Sequence, residues 1–301
     1  MLEFIIFAIS LSVLIYSAKL ITDTATHFAR VLGASEFLVG ATVVALGTSL
    51  PELSSSIEAM HSGLTGIVIG NVIGSNVANI ALVLGIASIF YTVKTRRNIL
   101  KHDIPFLFIS AFATIIVLLD SKITATEGTL LLITYIAYLA YSIKIHKKHD
   151  KHKKTKLKQS QIIIFLAGLA GLIYSAKYLI TSSSAIMSTL GISEAIIGFI
   201  LIAIGTSLPE LATSIVAAKQ GKTDMMIGDI IGSNTFNSLI VLGASSFIGP
   251  VAAATQFLVV SLPSMLLLTI FLAFIVYDKK ITKTEGTTLL LLYIIILVVI
   301  L

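Results

Sequence analysis

The chain has 301 residues, of which 56% are hydrophobic and only 12% charged, with a formal net charge of +6 and no cysteine. Soluble domains carry about 25% charged residues, so this composition excludes a soluble globular protein, and the missing cysteine excludes disulfides, thiol catalysis and Cys-based metal sites. The positive charge does not indicate nucleic acid, because most of the cations sit in short polar segments beside apolar runs.

Apolar runs close to 20 residues, the length that crosses a hydrocarbon core of about 30 Å, follow one another with only short polar gaps. They predict an all-α integral membrane protein of ten transmembrane helices, five per half. The first five lie near 3–21, 36–60, 66–90, 103–120 and 125–143. The first run has no charged leader or small-residue cleavage site, so it reads as a helix rather than a signal peptide. The second carries Gly47-Thr48-Ser49-Leu50-Pro51-Glu52. The third carries Gly70-Asn71-Val72-Ile73-Gly74-Ser75-Asn76, and the fifth opens on Thr126-Glu127-Gly128. A Lys-rich stretch at 144–159 separates these helices from five more, near 160–181, 194–218, 225–248, 255–277 and 284–301.

The second half repeats the first at an offset of 158 positions. Gly205-Thr206-Ser207-Leu208-Pro209-Glu210 answers the first motif, and Gly228-Asp229-Ile230-Ile231-Gly232-Ser233-Asn234 the second. Thr284-Glu285-Gly286 answers the third, and Ile15-Tyr16-Ser17-Ala18-Lys19 recurs as Ile173-Tyr174-Ser175-Ala176-Lys177. The expected organisation is a first five-helix repeat over 1–143 (motif region 40–85), a cytoplasmic linker over 144–159 and a second repeat over 160–301 (motif region 198–243). An odd number of helices per repeat makes the second copy enter from the opposite side, so the halves are expected to be inverted.

Lysine and arginine set the expected orientation. With the N-terminus outside, the inner loops hold eighteen cations: Arg30, four between Lys94 and Lys101, eight between Lys144 and Lys158, Lys219, Lys222, Lys279, Lys280 and Lys283. The outer loops hold one, Lys122. Cytoplasmic loops are enriched in Lys and Arg, so both termini are expected outside a cell membrane and the 144–159 linker inside. That basic stretch reads as a solvated linker that sets topology, with lipid binding as the other reading.

The chemistry concentrates in the duplicated motifs. A carboxylate at the centre of a lipid-embedded helix costs roughly 2.5–3.5 kcal/mol even on lenient scales, so such residues face the protein interior and mark ion pathways. Glu52 and Glu210 are two of them at equivalent positions. Pro51 and Pro209 each remove a backbone donor and free carbonyl oxygens near Gly47 and Gly205. Thr48, Ser49, Thr206 and Ser207 add hydroxyls at the same level. Ser75 and Asn79, four apart and hence on one helix face, form an opposite wall, as do Ser233 and Asn237. The glycines of these segments read as close-packing positions, and the six histidines read as solvated residues beside polar segments. An all-oxygen set of this kind suits a hard cation, Ca²⁺ above all. Two carboxylates balance one Ca²⁺, or two or more Na⁺ or protons. The asymmetric pair is Asn71 against Asp229, and the role of Asp229 stays open between ligand, helix cap and contact with water.

On these residues the chain resembles the sodium/calcium exchanger branch of the Ca²⁺/cation antiporter superfamily, in a form without the large regulatory loop of eukaryotic relatives. The resemblance covers essentially the whole chain. It implies an alternating-access antiporter that exchanges several Na⁺ for one Ca²⁺, with helices 1 and 6 sliding over a fixed core. It also implies ion ligands among Thr48, Ser49, Glu52, Ser75, Asn79, Thr206, Ser207, Glu210, Ser233 and Asn237, and among the backbone carbonyls of Ala45 and Ala203. Asn237 departs from relatives, K⁺-dependent exchangers included, that carry aspartate there, which disfavours K⁺ co-transport.

The expected function is Ca²⁺ extrusion driven by the inward Na⁺ gradient, with Na⁺ and Ca²⁺ as cargo, the bilayer as environment, and no enzymatic activity, cofactor, nucleic acid or obligate protein partner. The nearest rival is an H⁺/Ca²⁺ antiporter using the same acids. A cation channel is a second rival. An intramembrane hydrolase with a carboxylate pair is a third, against which the proline-broken, all-oxygen surroundings argue.

Overall fold

The computed structural model describes residues 2–96, 98–146, 158–189, 205–252 and 255–300, and these are helical almost throughout. Helix α1 (Leu2–Leu32) leads into α2 (Glu36–Thr48) and α3 (Leu50–His61), which meet at a 41° bend. Then come α4 (Thr65–Phe90), α5 (Ile99–Val117) and α6 (Ala125–His146). The second half comprises α7 (Gln159–Thr189), α8 (Leu208–Lys219), α9 (Thr223–Ser245), α10 (Thr255–Tyr277) and α11 (Lys283–Ile300). Seven of the described helices are long and apolar enough to cross a membrane, or eight if the bent α2–α3 pair counts as one span. Large apolar side chains such as Phe4, Ile9, Ile133, Ile136, Phe274 and Val298 are exposed along the outer faces. Soluble monomers rarely carry so much contiguous apolar surface; these helices mark a multi-pass membrane protein.

The 158-residue offset holds at the level of elements. α3 and α8 start and end at equivalent positions, and so do four two-residue strands: β1 (Val93–Lys94) with β3 (Val251–Ala252), and β2 (Lys122–Ile123) with β4 (Lys280–Ile281). Wide π-type turns interrupt α4 at Asn79–Val83 and α9 at Asn237–Val241, again at equivalent positions. Such π segments are often found at functional sites. Even the left-handed residues pair up, Ser121 (φ 65°) with Lys279 (φ 58°). The strands couple across the halves in antiparallel fashion, β1 with β4 and β2 with β3.

Two helices are longer than their apolar runs. The first, expected to end near residue 21, continues to Leu32, and the sixth, expected to end near 181, continues to Thr189. The reason is local. Thr22, Thr24 and Thr26 return their hydroxyls to carbonyls three or four residues back, at 2.6–3.1 Å. Their polarity is therefore absorbed by the helix, while Ala25, Phe28 and Ala29 are buried. Lys19 and Lys177, expected near helix ends, consequently lie well inside α1 and α7, on exposed faces. The fifth helix likewise runs on to His146, three residues beyond its expected end. Of the expected helix near 194–218, only the part from Gly205 on lies among the described residues.

α1 and α7 pack along each other within a second apolar cluster, where Leu14, Ala18, Ile21, Phe165, Leu172 and Ala176 meet Val39 and Val44 of α2, Ala212 and Val216 of α8 and Met225 of α9. The larger core lies between α4, α5, α9 and α10, with α4 and α9 the most enclosed. α2 rests directly on α9, because a side chain at Gly228 would meet the Phe37 carbonyl at 2.3 Å and one at Gly232 the Ala41 carbonyl at 2.4 Å. Glycine is what permits that backbone-to-backbone approach, and it brings Asp229 and Ser233 of α9 alongside the end of α2.

A buried oxygen cluster at two proline-headed helices

The break between α2 and α3 falls at Ser49 (φ −89°, ψ 6°), and Ser207 has the same conformation (φ −88°, ψ 6°) before α8. In each case proline occupies the first turn of the following helix, where its missing N–H would have lacked an intrahelical partner anyway. Glu52 and Glu210 therefore sit in the first turns of α3 and α8. The positive ends of those helix dipoles favour a carboxylate. Both side chains are fully buried.

Each glutamate is held by one serine. Ser75 of α4 donates to Oε1 of Glu52 at 3.4 Å, and Ser49 donates to Oε1 of Glu210 at 3.2 Å. The other oxygen, Oε2, is buried in both residues with no hydrogen-bond partner among the described residues. Ser75 also meets Thr206 at 3.1 Å, and at the equivalent place Ser233 meets Thr48 at 3.5 Å. Ser207 is buried at the start of α8. Thr48, Ser49, Glu52, Ser75, Thr206, Glu210 and Ser233 are thus joined by contacts that repeatedly cross from one half to the other. The carbonyl of Ala45 accepts the Ser49 N–H at 3.0 Å and lies 3.3 Å from the Thr48 hydroxyl. Ala203 lies outside the described residues.

The amides form a neighbouring layer. Asn79 gives its Nδ2 to Asn234 at 3.0 Å, which leaves its own Oδ1 buried and unpartnered. Asn234 donates in turn to the carbonyl of Asn76 at 3.1 Å, and Asn76 donates to Ser238 at 2.8 Å. Asn237 is fully buried, and neither of its side-chain polar atoms is hydrogen-bonded among the described residues. Buried polar groups are normally paired, whereas the Oδ1 atoms of Asn79 and Asn237 and the two Oε2 atoms have no hydrogen-bond partner among the described residues.

No ion pair joins a lysine or arginine to Glu52, Glu210 or Asp229 among the described residues. Nor do three or more His, Asp or Glu side chains there converge as a ready metal cluster. A cation at this place must draw on hydroxyl, amide and carbonyl oxygens as well as carboxylates, which is the ligand mixture of a hard cation.

Four residues carry more than their sequence pattern indicated. Asn76 and Asn234 form the bridge between the halves that orients Asn79; their signal was the repeated Gly-Ser-Asn. Thr213 donates to Oδ2 of Asp229 at 2.9 Å, and Asp229 Oδ1 lies 3.3 Å from the Thr48 hydroxyl and 3.5 Å from that of Ser233. Asn71, the counterpart of Asp229, instead gives its amide to the Glu52 carbonyl and to the hydroxyls of Ser55 and Ser56. One reading is corrected. His146 is not solvated: it is buried, its Nε2 lies 2.9 Å from Oδ2 of an equally buried Asp103, and its ring stacks on Phe37.

Comparison with known proteins gives a consistent result. The family model described as sodium/calcium exchanger protein matches residues 2–144 and 160–301. The sodium/calcium exchanger MaX1 of Methanosarcina acetivorans is 31% identical, over 99% of this chain and 98% of its own. The putative antiporter CaxA of Alkalimonas amylolytica is 33% identical, over 95% and 94%. A solved structure of the sodium-calcium exchanger NCX_Mj soaked with 10 mM Na⁺ and zero Ca²⁺ superposes with a TM-score of 0.86 at 32% identity, over 98% of this chain and 97% of that one.

Proposed function

The chain belongs to the sodium/calcium exchanger family, and from that premise we propose that it exchanges Na⁺ for Ca²⁺ by alternating access, extruding Ca²⁺ on the inward Na⁺ gradient. Members of the family are transporters of cations rather than enzymes; the exchanged ions are cargo, and no cofactor is needed. The observation that carries the finer reading is the pair of fully buried glutamates, 158 positions apart, each with one carboxylate oxygen hydrogen-bonded to a serine and the other unpartnered. An empty pair of buried carboxylates is electrostatically costly. One Ca²⁺, or two or more Na⁺, compensates it, so the two ion sets are expected to compete for one site.

In this reading Glu52 and Glu210 are shared by both ions. Thr48, Ser49, Ser75, Asn79, Thr206, Ser207, Ser233 and Asn237 complete the shells, with the carbonyls of Ala45 and Ala203. The cargo lies between two inverted five-helix repeats, 1–143 and 160–301, in a ten-helix bundle. The strand pairing supports that inversion. β1 and β2 flank the span α5 and so lie at opposite ends of it, yet β4, the counterpart of β2, pairs at the β1 end. The Lys and Arg distribution supports a cytoplasmic linker at 144–159 and outside termini. The apolar cluster through which α1 and α7 meet α2, α8 and α9 is distinct from the larger core, which supports a pair sliding over a fixed core. NCX_Mj shows extracellular ion exchange and induced binding-site occlusion, which fits an occluding carrier better than an open channel.

The test is ⁴⁵Ca²⁺ flux in proteoliposomes with Na⁺ and pH gradients imposed separately. Na⁺-driven flux that Glu52→Gln and Glu210→Gln each abolish is expected. Full flux in either variant would remove that glutamate from the site, and flux that follows only the pH gradient would make the protein a proton-driven antiporter.

A further inference from the structure

We propose that Asp229 is a third acidic ligand of the transport site, serving Na⁺ on the side of the cavity formed by Thr48 and Ser233. This inference rests on the Na⁺/Ca²⁺ exchange reading above.

Asp229 is 2% exposed, on the face of α9 that also carries Ser233 and, after another turn, Asn237. Its Oδ2 has one short bond, from Thr213 at 2.9 Å. Its Oδ1 has only the longer approaches of Thr48 (3.3 Å) and Ser233 (3.5 Å), and those two hydroxyls are themselves 3.5 Å apart. Hydroxyl donors normally sit 2.5–3.0 Å from their acceptors, so this triangle of oxygens is loosely closed. The Thr48 proton is also within reach of the carbonyls of Val44 and Ala45, at 3.2 and 3.3 Å. Whenever it turns there, the Thr48 oxygen faces Asp229 as an acceptor. Oxygens short of protons around a buried carboxylate are the arrangement a cation completes.

Two further observations point to a ligand. Glu210 Oε2 is buried without a hydrogen-bond partner among the described residues, and so is Oδ1 of Asn237, eight positions along the same helix from Asp229. In addition, the repeat supplies an internal control, because Asn71 at the equivalent position closes its surroundings with three amide hydrogen bonds and adds no charge. The two halves of the cage therefore differ by one negative charge, on the α9 side. A lone carboxylate among hydroxyls matches a monovalent ion, whereas Ca²⁺ is already matched by the Glu52–Glu210 pair. Asp229 then makes the Na⁺-loaded cage the better compensated one.

The discriminating experiment compares two fluxes in proteoliposomes, Na⁺-driven Ca²⁺ release and ⁴⁵Ca²⁺/Ca²⁺ exchange without Na⁺. For Asp229→Asn, the Na⁺ concentration giving half-maximal release is expected to rise by about tenfold or more, since ligand charge sets cation affinity, and by clearly more than the Ca²⁺ concentration giving half-maximal Ca²⁺/Ca²⁺ exchange. Unchanged Na⁺ dependence, or parallel loss of Ca²⁺/Ca²⁺ exchange in a protein that still folds, overturns the proposal. Should Asp229→Asn fail to fold, Thr213→Val keeps the charge but removes the short bond. A shift of about threefold in Na⁺ dependence is then expected, and no shift overturns the proposal. Absence of Na⁺-driven release from the unmodified protein would sink the exchange reading and this inference with it, whereas the variant outcomes bear on Asp229 alone.

Discussion

The hydroxyl of Ser49 reaches Oε1 of Glu210 at 3.2 Å across 161 positions of sequence. Glu210 is thus held from the opposite half, by the residue at the bend between α2 and α3. Glu52 is held by Ser75 of its own half, which in turn touches Thr206 of the other. Every acid of the cage consequently depends on both repeats, and a change at either bend alters both.

Ser49→Ala leaves the Glu210 carboxylate buried without that donor and removes one hydroxyl ligand. Hydrogen bonds to charged groups contribute about 1.5–3 kcal/mol, so the Ca²⁺ concentration for half-maximal ⁴⁵Ca²⁺ uptake is expected to rise by about tenfold or more. Ser49→Thr, which restores the hydroxyl, is expected to recover most of that affinity. Equal affinity in the Ala variant and the unmodified protein would take Ser49 out of the shell.

Gly232→Ala tests the contact that brings α9 against α2. The new methyl would lie 2.4 Å from the Ala41 carbonyl oxygen and 2.6 Å from its Cα, and backbone cannot step aside as a side-chain tip can. Overpacking of this kind destabilises by about 1–3 kcal/mol. A lower thermal midpoint in detergent is expected, together with weaker Na⁺-driven flux. Gly66→Ala is the control: its methyl finds nothing nearer than the Ala252 carbonyl at 3.8 Å, and a midpoint at or slightly above the starting value is expected.

Much of this was legible because the chain states it twice. The proline-broken segments, the buried glutamates and the equal element boundaries of α3 and α8 all follow the repeated motif. What hydropathy hid was polarity satisfied locally. Thr22, Thr24 and Thr26 look like a loop, yet each spends its hydroxyl on its own helix, so α1 runs eleven residues beyond the expected end at 21. Pairing across distant elements was equally hidden. Nothing in the spacing of Asp103 and His146, 43 positions apart, announces a buried pair, because the side chains meet only once α5 and α6 have packed.

That pair supplies the next prediction. Asp103 and His146 tie α5 to the end of α6, while the His146 carbonyl accepts the Ser35 N–H at 3.1 Å and its ring covers Phe37, so α2 is anchored to the same point. Removing one member of a buried pair leaves an uncompensated polar group and destabilises by about 3–5 kcal/mol, whereas replacing both with apolar groups is often neutral. Asp103→Leu and His146→Leu are each expected to lower the thermal midpoint clearly, and the double variant to lower it less than either. A double variant worse than both singles would mean that the pair is not the structural tie described here.

Asn234 offers the sharpest separation of positioning from ligation. Among the described residues its side chain hydrogen-bonds no proposed ion ligand except Asn79, whose Nδ2 it accepts at 3.0 Å, and it anchors itself on the Asn76 carbonyl at 3.1 Å. That contact fixes which way the Asn79 amide points and turns Oδ1 inward, without a partner. Asn234→Leu keeps the volume but removes the acceptor, so the Asn79 amide is free to turn. Asn79→Leu removes the ligand outright. Both variants are expected to weaken Ca²⁺-dependent uptake, with Asn79→Leu the more severe and Asn234→Leu intermediate. Because the two residues act through one contact, their effects are expected to be non-additive: the double variant should match Asn79→Leu alone. Additive losses in ⁴⁵Ca²⁺ uptake would show that Asn234 acts on the ion by another route, and an Asn234→Leu variant with unaltered uptake would show that the Asn79 amide is held without it.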